Sequence, residues 1–237
     1  KNIEFIFHKE PRVRIKLEGR EEIEFETKRI DGQVVNPKKA KIFEDREVTY
    51  EDIILGIDLK YTVTNDLLVE EFIIKSRDAA LALIKADSKL INADVTFEQT
   101  VKTTNIKVVW KDNKTFGFYP STCSGQVQCK EIFRLGSPFA KDNKGDVSND
   151  LSITLDKPFD FAQGYKLTKS LGESAKKWLN DPERAYPVSI DPSVIVSGGI
   201  LEAEVQFGGL QRKLAYMSGA VSPAWYAFAS DANDASY

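Results

Sequence analysis

Histidine is nearly absent from this chain: of 237 residues one, His8, is a histidine, two are cysteines and one is a methionine. So few nitrogen and sulfur donors do not make a four-ligand zinc set, and no other cofactor is expected. A catalytic triad would rest on His8 alone, which stands among charged neighbours and reads as a surface residue, with no nucleophile motif to serve. Long hydrophobic runs are missing too. The longest uncharged window, Leu214 to Ser230, contains Ser218, Gly219, Ser222 and Pro223 and is too short and polar to span a bilayer. Neither sign of charge dominates: 33 Lys and Arg against 36 Asp and Glu leave −3, with both signs interspersed. No basic stripe asks for nucleic acid and no acidic tail for a basic partner. These absences point to a chain that is not an enzyme and has no nucleic-acid partner. The chain opens on Lys1 without the charged, apolar and small-residue series of a signal peptide, which is expected to have been removed or never included.

What is present is alternation. A content of 42% hydrophobic and 11% aromatic residues suits one substantial core with, at most, a smaller second unit. Ile3 to Phe7, then Val13, Ile15 and Leu17, then Ile23, Phe25 and Thr27 alternate with charged residues, and turns are expected at Glu18-Gly19-Arg20-Glu21, Asp31-Gly32 and Asn36-Pro37. The plainest hairpin joins Leu59, Tyr61 and Val63 through Asn65-Asp66 to a strand ending at Ile74. Ala79 to Ile84 and a long run from Val95 to Trp110 continue the strand pattern, followed by Thr115 to Tyr119, Ile132 to Leu135, Leu151 to Leu155 and Gly164 to Thr168. This spacing predicts an all-β fold of sandwich-like antiparallel sheets. One short helix is expected near 171–180: Ser170 and Glu173 have capping-box spacing, Leu171, Ala175, Trp178 and Leu179 share a face, and Asp181-Pro182 stops it.

The chain is organised around Ala185-Tyr-Pro-Val-Ser-Ile-Asp-Pro-Ser-Val194, where Tyr186, Val188 and Ile190 form one apolar face. Pro187 and Pro192 each remove a ladder donor, so this strand is expected to lie at a sheet edge or to run out of one. After Ser197-Gly198-Gly199 the texture changes. Residues 1–196 therefore read as one sandwich module, and 197–237 as a linker with the start of a second β unit or assembly strands.

Cys123 and Cys129 flank Gly125 in a turn-rich segment. A disulfide between them would contribute about 2 kcal/mol and implies an oxidising compartment; two free thiols are the alternative.

Three pieces in order carry a resemblance: Val48 to Val63 with Glu70-Glu71; Ile132-Phe-Arg-Leu-Gly-Ser-Pro138 with Asp142 and Gly145; and Trp178-Leu179 followed by Arg184 to Ser193. Together, over about 41–194, they resemble the β-rich module of large bacterial cell-surface proteins, wall-associated and of the tyrosine-aspartate-repeat (Rhs) type. The resemblance implies an extracellular or cell-surface, non-catalytic structural module acting as a stalk, sheath or assembly unit. Its implied partners are neighbouring domains or copies of the same protein. The alternative is an adhesion module that binds a cell-surface glycan.

Of the remaining candidates, Trp225, Tyr226 and Phe228 would serve a glycan or subunit contact. Asp142 and Asp146 supply oxygens for calcium without the loop pattern, so a solvated turn is the plainer reading and no metal is assigned. Asn113-Lys-Thr115 has the letters of a glycosylation sequon. Asp58 with Glu70 or Glu71 suggests glycosidase carboxylates, but adjacent strand residues face opposite ways, and one of the glutamates is expected to be buried against a Lys or Tyr. A buried lysine beside an Asn or Asp, with an acid nearby, can close an amide cross-link, as in other surface β-sandwiches; Lys60 and Lys75 are the candidates.

Overall fold

The computed structural model describes residues 2–17, 20–36, 40–43, 46–64, 67–86, 95–112, 114–122, 130–156, 164–191, 194–196, 202–207, 211–217 and 224–230. Charged and apolar residues alternate through β1 (Asn2–Phe7), β2 (Arg12–Leu17) and β3 (Glu22–Ile30), and Ile3, Phe5, Phe7, Val13, Ile15, Ile23, Phe25 and Ile30 are buried. There follow β4 (Gln33–Val34), β5 (Lys41–Phe43), β6 (Glu47–Ile54), β7 (Ile57–Val63) and β8 (Leu67–Ile74). Helix α1 (Arg77–Ala86) precedes β9 (Val95–Thr104), β10 (Ile106–Trp110), β11 (Phe116–Pro120), β12 (Phe133–Leu135), β13 (Phe139–Lys141), β14 (Val147–Ser148), β15 (Leu151–Asp156) and β16 (Tyr165–Leu171). Helix α2 (Glu173–Asn180) and β17 (Val188–Asp191), β18 (Val194–Val196), β19 (Glu202–Phe207), β20 (Gln211–Met217) and β21 (Ala224–Ser230) complete the order.

The strands form two sheets. The first runs β15-β16-β9-β3-β2-β1-β19-β20-β21, antiparallel except where β1 and β19 pair in parallel; the second runs β10-β11-β12-β18-β8-β17-β13-β14, with β7, β6 and β5 extending from β8. Their apolar faces meet: Phe72 of the second sheet lies 4.7 Å from Phe97 of the first, Phe7 lies 5.6 Å from Tyr61, and the Tyr50 hydroxyl donates to the His8 carbonyl at 2.7 Å. The expected all-β, sandwich-like fold is what the chain adopts.

Four local expectations are corrected. Ala79 to Ile84 belongs to α1 rather than a strand: the Ser76 hydroxyl accepts the Ala79 amide at 3.2 Å, and Ala80 and Leu83, three apart, supply the buried face. The run from Val95 to Trp110 is two strands in different sheets, broken at Asn105, whose φ of 56° turns the chain. Strand β17 is internal, pairing with β8 on one side and β13 on the other. Pro187 lies just outside its laddered residues, so it removes no donor the ladder needs, and Pro192 lies outside the described residues. Helix α2 does begin near 171, but Ser170 belongs to β16 and caps nothing; the Asp150 carboxylate accepts the amides of Ser174 at 2.7 Å and Ala175 at 3.2 Å instead. The helix closes beside Tyr186, whose hydroxyl donates to the Leu179 carbonyl at 2.7 Å.

Candidate functional site

Between the sheets, where apolar side chains should fill every inward position, five polar side chains converge: Thr27, Tyr61, Glu70, Gln99 and Lys169. On β9 the inward phase is Val95, Phe97, Gln99 and Val101; on β16 it is Leu167, Lys169 and Leu171; on β8 it is Leu68, Glu70 and Phe72. Lys169 is fully buried, its side chain 1% exposed, and it forms an ion pair with Glu70 Oε2 across the gap between sheets. Glu70 Oε1 accepts the Tyr61 hydroxyl at 2.8 Å and the Gln99 side-chain amide at 2.6 Å. Gln99 Nε2 also donates to Thr27 Oγ1 at 3.1 Å, directly across the β3–β9 ladder. The Lys169 ammonium stands 5.0 Å from the Phe72 ring centre. Burial, with the Glu70 charge added to it, drives the Tyr61 phenol well above its usual range, so it remains a donor. Gln99 Oε1 is buried with no partner among the described residues.

A second cluster ties the loop before β14 to the segment before β17. Asp142 Oδ1 accepts the amides of Lys144 and Asp146, each at 2.9 Å, and Oδ2 receives Arg184 at 2.9 Å. Burial works to raise the Asp142 carboxyl, but Arg184 and these amides outweigh it and hold it below the ordinary range. Arg184 also reaches Asp146 at 3.3 Å and stacks 3.9 Å over Trp178. The oxygens considered for calcium are thus used by a guanidinium and by backbone amides. Among the described residues no group of three or more metal-ligating side chains is present.

Glu70 is the buried glutamate, held by a Tyr and a Lys as the sequence suggested, while Glu71 faces the other way and accepts the Ser189 hydroxyl at 2.7 Å. Asp58 pairs with Lys75 at 2.8 Å on the outer face, so it shares no cleft with Glu70. Lys60 pairs with Glu47 at 2.7 Å and Lys75 with Asp52 and Asp58 at 2.8 Å, but both lysines are part-exposed, where the cross-link calls for a buried one. His8 is half-buried rather than on the surface: Arg12 donates to Nδ1 at 3.2 Å, and Nε2 is buried without a partner among the described residues. Cys123, Cys129 and Asn113 lie outside the described residues, as do the side chains of Trp225, Tyr226 and Phe228 on β21. Lys169 and Gln99 were not singled out by motif; their only signal is a polar residue in the buried phase of an alternating strand.

Fold and site define a two-sheet β unit closed over a buried ionic bridge. Over 161 residues, 65% of the chain, it is 30% identical to the tRNA3(Ser)-specific nuclease WapA of Bacillus spizizenii and 29% identical to the tRNA nuclease WapA of Bacillus subtilis. The match spans 6% of each relative's length. No family model and no solved structure matches the chain. These relatives fit the expected wall-associated surface proteins in outline, and their names correct three expectations: a non-catalytic module, no enzyme, and no nucleic-acid partner. All three rested on motifs and charge missing from a stretch that matches 6% of each relative's length.

Proposed function

We propose that this chain is part of a large, wall-associated nuclease of the bacterial cell surface that acts on tRNA. The observation that carries the reading is the 30% identity over 161 residues with a tRNA3(Ser)-specific nuclease. Within such a protein the chain contributes a β unit whose two sheets are joined by Glu70 and Lys169. The net charge of −3 belongs to this stretch alone, whereas RNA affinity follows the charge of the surface that meets phosphate. The test is to express the complete protein that contains this chain and incubate it with total tRNA. Discrete cleavage products on a denaturing gel are expected, and intact tRNA across a range of divalent-cation conditions would overturn the reading.

Extracellular placement is supported by the resemblance over about 41–194 and suits a Cys123–Cys129 disulfide. Biotinylation of intact cells by an impermeant reagent is expected to label the parent protein. The joint at Ser197-Gly198-Gly199 supports a division into 1–196 and 197–237, which limited proteolysis would reveal as a preferred cut.

A further inference from the structure

We propose that Lys169 and Gln99 join through an amide bond between the Lys169 Nζ and the Gln99 side-chain carbonyl carbon, with Glu70 carrying the proton. Three observations converge on these residues. Both groups are held by one carboxylate, Lys169 on Oε2 and the Gln99 amide on Oε1 at 2.6 Å. They are also neighbours on the inner face of one sheet: Lys169 stands opposite Phe97 in the β16–β9 ladder, and Gln99 is two residues further along β9. Such diagonal pairs have Cβ atoms no more than about 7–8 Å apart, well within the span of a lysine side chain. Finally, the Gln99 amide is oriented by its bonds: Nε2 donates to Glu70 Oε1 and to Thr27 Oγ1, and Oε1 has no partner among the described residues. An orphaned buried carbonyl costs about 1–3 kcal/mol and calls for an explanation. What the arrangement does supply is a leaving nitrogen that faces the carboxylate which is to protonate it.

The step balances without oxidant, reductant or co-reactant. The Lys169 ammonium gives a proton to Glu70, and the neutral Nζ attacks the Gln99 carbonyl carbon. Glu70 returns the proton to Nε2, the bond from carbon to Nε2 breaks as the bond to Nζ is retained, and ammonia leaves with the second proton released by Nζ. The buried setting excludes water, which would otherwise compete for the carbonyl. Tyr61, donating to Glu70 at 2.8 Å, and Thr27, accepting from Nε2 at 3.1 Å, fix the two reacting groups as positioning residues. The product is a covalent tie between β9 and β16.

The test is intact-mass spectrometry of the purified, reduced and denatured 237-residue chain, followed by peptide mapping. The expected mass is that of the sequence less one ammonia, with a branched peptide joining the segments around Gln99 and Lys169. Lys169→Met and Glu70→Gln should each restore the full mass. Because the wild-type measurement stands alone, a variant that fails to fold does not blunt the test. A wild-type mass equal to that of the sequence overturns the proposal. So does loss of a water with a peptide joining Lys169 to Glu70, or loss of ammonia mapped to any other residue.

Discussion

At the scale of single residues, the cost of burying charge makes Lys169 and Glu70 the most consequential pair in the core. Removing one partner leaves the other charge buried and alone, whereas replacing both with apolar groups of similar size is often neutral. In a Gln99→Leu background, where no amide can form and Lys169 stays an ammonium, Lys169→Met is therefore expected to cost roughly 3–5 kcal/mol, and Lys169→Met with Glu70→Leu to recover most of it, read as urea midpoints at constant slope. His8 governs a pH effect of definite sign. Burial first, then the charges of Arg12 and Arg14, lower its pKa below 6.5, and the Arg12 donor on Nδ1 requires the neutral ring. The unfolded chain consequently binds the proton first as pH falls, and stability rises with pH wherever that holds. Stability from this residue is complete above the unfolded value near 6.5 and declines as pH drops toward the lowered folded value. Urea midpoints should fall between pH 7 and pH 5, and His8→Gln should flatten that fall.

At the scale of elements, the alternation in β7 and β8 is legible in the sequence because one face is buried along the whole hairpin: in β7, Ile57, Leu59, Tyr61 and Val63 are buried and the residues between them are half-exposed. Helix α1 is not, since Ala79-Ala80-Leu81-Ala82-Leu83-Ile84 is apolar at nearly every position and no periodicity can arbitrate. The α2 cap is illegible for a different reason: Asp150 lies far from the helix in sequence and comes to it only through the β15–β16 pairing. Asp150→Ala should destabilise the chain by about 1 kcal/mol, the usual worth of a lost N-cap, measured by urea unfolding. Gly56, in the turn between β6 and β7, has φ of 78°, and a Cβ there would stand 2.6 Å from the Ala79 Cβ of α1. Gly56→Ala combines backbone strain with a clash against a packed helix and should lower the melting temperature more than Asp150→Ala does.

For the whole molecule, two-sheet architecture follows from turn spacing, but which strand joins which sheet does not, because Asn105 moves the chain between sheets inside what reads as one strand. The inward polar residues Gln99 and Lys169 are visible as breaks in alternation, yet Glu70 meets them only because β8 lies in the opposite sheet, a fact no local pattern carries. That arrangement makes a claim about cooperativity. Phe72 stands at the centre of the contact between layers, against the Phe97 ring at 4.7 Å and beside Lys169. Its truncation opens a cavity that two sheets would have to close together, so Phe72→Ala should cost roughly 3–5 kcal/mol. If the layers unfold as one body, far-UV circular dichroism and the fluorescence of Trp110, isolated by Trp178→Phe and Trp225→Phe, must report the same shifted midpoint for Phe72→Ala, because Trp110 lies on the second sheet while β9 and β16 lie on the first. Phe97→Ala, from the facing sheet, should shift the midpoint likewise, and the double variant should cost less than the sum of the two. Separate transitions, or strict additivity of the two variants, would mean that the sheets hold themselves independently and that the Glu70–Lys169 bridge does not join them energetically.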